Sequence, residues 1–306
     1  MTGRNGQMDA DEAAAAPSLA QLYAEPFRIL RPYRQTVPFV FASPHSGRFY
    51  PANFIEMSRL SATALRRSED AFVEELFCGA VALGAPMLAA RFPRAFLDAN
   101  RAPAEIDSAM FEGALAVAVD SPSPRVNAGL GVIPRIVRDG AEIYRGKLKP
   151  ADAEERLNRL YRPYHAALAQ LVDETRAQFG VAVVIDCHSM PSAAAIPDIV
   201  FGDRYGMAAA PSVTRLAELG FEEQGFSHAR NAPYAGGYTT HLHGRRDRDV
   251  HALQVEINRA LYLDEERIAK GARFEQVHAR LTDALTRLVA IEPALLARRP
   301  TNLAAE

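Results

Sequence analysis

Two stretches of this 306-residue chain set a histidine directly after an apolar run. Residues 37–42 (VPFVFA) lead into Ser43-Pro44-His45-Ser46-Gly47, and residues 181–187 (VAVVIDC) lead into His188-Ser189. Loops at the carboxyl ends of strands in open α/β sheets converge on a ligand without disturbing the core, so an imidazole there is well placed to bind a metal or move a proton. One such histidine reads equally well as a solvated loop residue; two in equivalent places favour a shared site. A catalytic zinc site needs three protein ligands and an open position, and one ligand is commonly a carboxylate. Glu69 and Asp70 of "SEDAFVEELF" both qualify by position. With Ser68 as a helix cap, both also read as acids of a helix first turn.

Glu256 of "ALQVEIN" stands on a strand between Leu253, Val255 and Ile257. A carboxylate in such company suffers a desolvation penalty unless it is paired or faces a wet cavity. It suits the general base of a metal-dependent hydrolase, or else a salt bridge to an arginine. Asn100 and Arg101 follow the apolar "AFLDA" and offer an amide beside a guanidinium, a combination that captures carboxylates. Residues 232–249 (APYAGGYTTHLHGRRDRD) join Gly236 and Gly237 to Tyr238, His241 and His243, and read as a flexible segment covering a substrate. Their HxH pattern is the rival metal site. Arg135 of "GVIPRIV" is a candidate for stabilising an oxyanion. At Gly47 the missing side chain allows the backbone close to metal and substrate. His165, His228, His251 and His278 receive no role.

The elements that must position these groups are legible as periodicity. Apolar residues recur at helical spacing over 61–83 and 150–179, the latter stopped by Gly180. Residues 87–90 and 95–97 read as short strands, 181–187 as a strand buried on both faces, and 252–258 as a strand with alternating faces. The tail from 264 to about 297 reads as one or two helices. Residues 102–146, rich in Pro, Gly, Ser and Asp, form a long excursion, and loops of this size are uncommon unless they serve a site. Strands alternating with helices predict an α/β fold, a single three-layer α/β/α domain. That domain is expected to span 26–300. Residues 1–25, without a sustained apolar face, are expected to form a largely disordered or loosely docked arm.

The formal net charge of −2 and the lack of a Lys/Arg run argue against nucleic acid or an anionic membrane as partner, leaving a small molecule as the expected ligand. No apolar stretch approaches the roughly 20 residues of a transmembrane helix. The two cysteines form no CxxC and no signal peptide is evident, which favours a reducing, cytoplasmic setting. Monomer and homodimer are both compatible with the sequence.

Taken in order, "SPHSGRFYP", "SEDAFVEELF", "FLDANRAPAEID", "YRPYHAAL", "VIDCHSMPS", "APYAGGYTTHLHG" and "HALQVEINRALYLDE" resemble the N-formylglutamate amidohydrolase family, over about residues 37–265. The family is similar in fold to the zinc carboxypeptidases and aspartoacylase, which implies a mixed central sheet between helical layers. The resemblance implies a hydrolase with one Zn²⁺ per chain that splits N-formylglutamate into formate and glutamate, the last step of one histidine-degradation route. It implies His45, Asp70 and His188 as metal ligands, Glu256 as catalytic carboxylate, and Asn100 with Arg101 as the clamp on a substrate carboxylate. The family commonly has Leu where this chain has Ala99, and Arg where it has His241, so Gly237, Tyr238 and His241 are where substrate selection is expected to differ. The alternatives are a zinc deacylase or small carboxypeptidase of other specificity, and a ligand-binding relative without turnover.

Overall fold

The computed structural model describes residues 18–120, 123–137, 140–193 and 195–296. Among them one sheet holds β1 (Phe27–Leu30), β2 (Phe39–Ser43), β3 (Met87–Ala90), β4 (Ala182–Met190), β5 (Ile199–Gly202), β6 (His228–Arg230) and β7 (Val250–Asn258). Their spatial order is β1-β3-β2-β4-β7-β5-β6. The central strands β3, β2, β4 and β7 are parallel; β1 and β5 flank them antiparallel, and β6 follows β5 in parallel. This is the mixed sheet that the family resemblance implies.

Strands β2, β4 and β7 are buried at every position, as near-continuous apolar runs require of strands covered on both faces. Val40, Ala42, Ala182, Val184 and Ala252 share one core with Tyr164, Leu168 and Leu171 of the helix Arg162–Phe179. On the other face Phe39, Phe41, Val183, Ile185, Leu253, Val255 and Ile257 pack with the helices Pro211–Glu223 and Phe274–Val289. In the latter helix Val277, Leu281, Ala284, Leu285 and Leu288 keep the spacing of a single apolar face. Each large aliphatic buried this way contributes about 1.5–3 kcal/mol, which makes the strand ends a rigid shelf for a site. No described helix is long and apolar enough to cross a membrane.

Four expectations need correction. Residues 61–83 do not form one helix but three, Ala62–Arg66, Val73–Phe77 and Gly79–Ala82. The chain breaks so that the Asp70 N–H donates to the His45 carbonyl (3.0 Å), and Phe72 adopts a left-handed φ of 63°. Asp70 therefore lies in the break and not in a helix first turn. Residues 95–97 turn back on the Pro93 carbonyl instead of forming a strand. The predicted 150–179 helix is continuous but passes through a π-helical turn at Leu157–Tyr161. Of the expected arm, residues 18–25 are folded: the helix Leu19–Ala24 is closed by a Ser18/Gln21 capping box and buries Leu22. Residues 1–17 and 297–300 lie outside the described residues.

Candidate active site

The carboxyl ends of β2, β4 and β7 converge. Along β4 the side chains of Ala182 and Val184 belong to a core, and the same face continues as Asp186 and His188. In register beside them on β7 stand Gln254 opposite Asp186 and Glu256 opposite His188. Both strands thus change from apolar to polar at the same height. His45 arrives from the turn after β2. Here Gly47 is explained otherwise than expected: a Cβ would sit 2.1 Å from the Phe92 carbonyl oxygen, so the close approach is to the neighbouring chain segment.

Asp70 Oδ2 lies 3.3 Å from His45 Nδ1 and 3.0 Å from His188 Nδ1. One ligand atom from each of these residues falls within 4.8 Å of the others, a grouping of His, Cys, Asp or Glu found nowhere else among the described residues. The far nitrogens are also held. His45 Nε2 is 2.7 Å from Asp98 Oδ1, and His188 Nε2 is 3.0 Å from Asp186 Oδ2. With Nε2–H donated to a carboxylate, each Nδ1 lone pair points at the common centre, the carboxylate–histidine arrangement that orients metal ligands. Asp70 Oδ1 is occupied, accepting from Arg259 Nη2 (2.9 Å) and Ser189 Oγ (3.4 Å), which leaves Oδ2 for the centre. Glu69 is turned away, its oxygens 3.0 and 3.2 Å from Arg66 Nε.

The electrostatics follow from this geometry. Burial alone would raise the Asp70 and Asp98 carboxyls, but the imidazoles, and for Asp98 also Arg94, outweigh it and hold both well below the usual range. Burial alone would lower His188, but the Asp186 charge outweighs it and raises the imidazole well above its usual range. Glu256 is pushed up to about 7, by burial first and then by Asp70, against the downward pull of His188. One of its oxygens accepts from Gln254 Nε2 at 2.8 Å. A buried carboxyl balanced near neutrality is suited to take and return a proton.

Above the centre opens a cleft of about 380 Å³, lined by Glu256 and by Arg67, Arg94, Arg101, Arg125 and Arg259. Arg94 is held by Asp98 (Nε–Oδ2 3.1 Å) and Arg259 by Asp70. Arg101 donates to the Leu130 carbonyl (3.0 Å) and lies only within 3.9 Å of Asp98. Burial, with Arg94 and Arg125 nearby, lowers the Arg101 pKa. A guanidinium so placed is stabilised by an incoming anion. The 102–146 excursion walls the cleft through Arg125, Leu130, Pro134 and Ile136.

Several residues singled out in the sequence lie elsewhere. Arg135 forms ion pairs with Asp107 (3.3 Å) and Glu142 (3.5 Å) and lines a separate surface cavity, so it is not brought to the centre. Tyr238 and His241 line a neighbouring chamber of about 550 Å³, which meets the cleft at Arg125, Ala235, Gly236 and Gly237. Partial burial, then Arg204 and Arg245, bias the His241 imidazole toward its neutral form. Residues 238–243 form a helix, and its two histidines diverge: His243 is buried with its ring stacked on His165 (5.7 Å between centroids). They do not form the rival metal site. The Asn100 amide is already engaged, Nδ2 with Asp186 Oδ2 (3.3 Å) and Oδ1 with the Thr239 N–H (2.7 Å). Conversely, Asp98, Asp186, Arg94 and Arg259 escaped the sequence reading. All four stand within a few residues of a motif already noted, but only the fold shows which ligand each one supports.

The sequence profile of the N-formylglutamate amidohydrolase family matches residues 37–263. Curated N-formylglutamate deformylases from Pseudomonas aeruginosa and Pseudomonas putida are 30% and 26% identical, over 76% and 78% of this chain and 85% and 86% of theirs. The crystal structure of N-formylglutamate amidohydrolase from Ralstonia eutropha JMP134 superposes with a TM-score of 0.80 at 36% identity, covering 86% of this chain and 96% of that one. The Atu2144 gene product of Agrobacterium tumefaciens shares the fold at 19% identity, with a TM-score of 0.57. Both the ordered motifs and the shelf of strand ends agree with these matches: the chain belongs to the N-formylglutamate amidohydrolase family and is a hydrolase of amide bonds.

Proposed function

We propose that this protein hydrolyses N-formyl-L-glutamate to formate and L-glutamate, with one Zn²⁺ held by His45, Asp70 and His188. The observation that carries this is the convergence of both Nδ1 atoms on Asp70 Oδ2, each imidazole backed by its own carboxylate. Two imidazoles and one carboxylate are a donor set that suits zinc. A zinc ion held there supplies polarisation of the formyl carbonyl and acidification of a water molecule.

The remaining work falls to the chain. Glu256 takes one proton from the attacking water and delivers it to the amide nitrogen as the C–N bond breaks; the second water proton, left on the carboxyl product, passes to the released amine, so the products are formate and the ammonium form of glutamate. Arg94, on the cleft wall, faces the negative charge that develops on the carbonyl oxygen. Arg101 holds one substrate carboxylate, and Arg125, at the mouth of the second chamber, is suited to the other. Gly236 and Gly237 form the wall between the two spaces.

Formate release measured over N-formyl-Glu, N-formyl-Asp, N-formyl-Gln, N-formyl-Met and N-acetyl-Glu tests this reading. The expected outcome is preference for N-formyl-Glu, loss of activity with a chelator and recovery on adding Zn²⁺. Full activity after metal removal, or no formate from any donor, contradicts it.

A further inference from the structure

We propose that Asn100 is a positioning residue that couples the docking of residues 236–243 to the orientation of His188, so that metal affinity depends on a contact made outside the ligand set. This rests on the reading of His45, Asp70 and His188 as metal ligands. The buried Asn100 amide is used at both ends. Its Oδ1 accepts the Thr239 N–H at 2.7 Å, which fixes which way the amide faces. Its Nδ2 then lies 3.1 Å from His188 Nε2 and 3.3 Å from Asp186 Oδ2, the oxygen that His188 Nε2 reaches at 3.0 Å. The Asn100 amide thus touches both the His188 ring and the carboxylate behind it. The other oxygen, Asp186 Oδ1, has no hydrogen-bond partner among the described residues, so Asn100 is the group that steadies Asp186 against His188.

The turn around Asn100 is tied to both histidines and to the loop. Asp98 Oδ1 accepts from the Asn100 N–H (2.8 Å) while it holds His45. The Ala99 carbonyl faces His165 Nε2 at 2.9 Å. From the loop side the fit is tight. Gly237 has an extended backbone, φ −98°, that any residue adopts, yet a Cβ there would lie 2.3–2.5 Å from the Asn100 amide atoms. Its glycine is required by contact with Asn100, not by its backbone angles. Gly237→Ala therefore presses a methyl group on this one amide without touching a ligand.

The test is Zn²⁺ affinity of the full chain, by competition with a chromophoric chelator, with hydrogen exchange of residues 236–243 followed with and without Zn²⁺. In the wild type Zn²⁺ slows exchange over 236–243, since coupling is reciprocal. Gly237→Ala and Asn100→Asp each weaken Zn²⁺ binding by about 10–100-fold, the usual effect of disturbing a group behind a ligand, and abolish that protection. In an Asn100→Ala background Gly237→Ala costs nothing more, a non-additivity that a general loss of stability does not produce. Asn100→Ser serves if Asn100→Ala fails to fold. Unchanged Zn²⁺ affinity in Gly237→Ala, or an equal loss in both backgrounds, overturns this proposal alone. Failure of the wild type to bind Zn²⁺ overturns the metal reading and this proposal with it.

Discussion

The chain buries two pairs of histidines, and they differ in what stands behind the rings. His45 and His188 sit 4.7 Å apart at a steep angle, each with a carboxylate on Nε2 and both Nδ1 atoms turned to Asp70. His165 and His243 lie nearly parallel, 5.7 Å apart, with Nδ1 of one 3.4 Å from Nε2 of the other. Among the described residues the second pair has no carboxylate hydrogen-bond partner; His165 Nε2 is used on the Ala99 carbonyl. Burial pushes His165 down, and burial with His165 and Arg245 pushes His243 down to about 3. Both stay neutral and act as packing groups with one shared hydrogen bond. Residue type and burial are common to the two pairs, so the acids decide which pair can hold a cation.

The comparison is broken most severely at the carboxylate that faces the first pair. Glu256→Gln keeps the shape of the cleft and the three ligands but cannot carry a proton. Steady-state hydrolysis is expected to fall by about 10²–10⁴-fold with metal content unchanged. Activity within a few-fold of wild type would move the role of base to another group.

A smaller effect is expected behind the ring. Asp186→Asn removes the charge that favours a positive partner on His188 while keeping a hydrogen-bond acceptor. Zn²⁺ affinity should weaken by about 10–100-fold in a chelator competition. An unchanged affinity would mean that the carboxylates do not distinguish the pairs.

The smallest effect belongs to the neutral pair and appears as a pH slope. The folded-state pKa of His243 is lowered to about 3, whereas the unfolded chain takes up its proton near 6.5. Its stabilising contribution is therefore complete above about 6.5 and is lost as pH falls toward 3, by at most about 1.4 kcal/mol per pH unit. Glu256, raised to about 7, acts in the opposite sense over part of this range, so the difference between variant and wild type is the useful quantity. Denaturant unfolding of His243→Phe against wild type from pH 7 to 4.5 should show the variant losing less stability on acidification. Parallel pH profiles would contradict the neutral-pair account.

Much of this was legible in the sequence where one local signal governs the outcome. Residues 181–187 are a near-continuous apolar run and 252–258 alternate apolar with polar residues, and the two become the central strands β4 and β7. Gly180 stops its helix at a φ of 77°. Where tertiary contact overrides periodicity, the reading failed. In 61–83 the apolar spacing holds only after the break at 67–72: Val73, Leu76, Phe77 and Ala80 pack into one core, Leu65 before the break joins the other, and Asp70 between them reaches His45. Asp98 and Asp186 were invisible as partners of the histidines, since nothing in "LDANR" or "VIDCHS" says which nitrogen a carboxylate will meet. Arg135 and Arg94 are equally plain arginines in sequence. Only the turn at 93–97 decides that Arg94 lines the cleft, while Asp107 and Glu142 draw Arg135 away.

The central claim, that the carboxylate-backed pair is the metal centre, is tested most directly by a Zn²⁺ titration of the purified wild type beside His188→Ala. The account predicts about one tightly bound zinc per chain for the wild type and its loss in the variant, with the rest of the fold retained by circular dichroism. Full zinc retention by His188→Ala would contradict it.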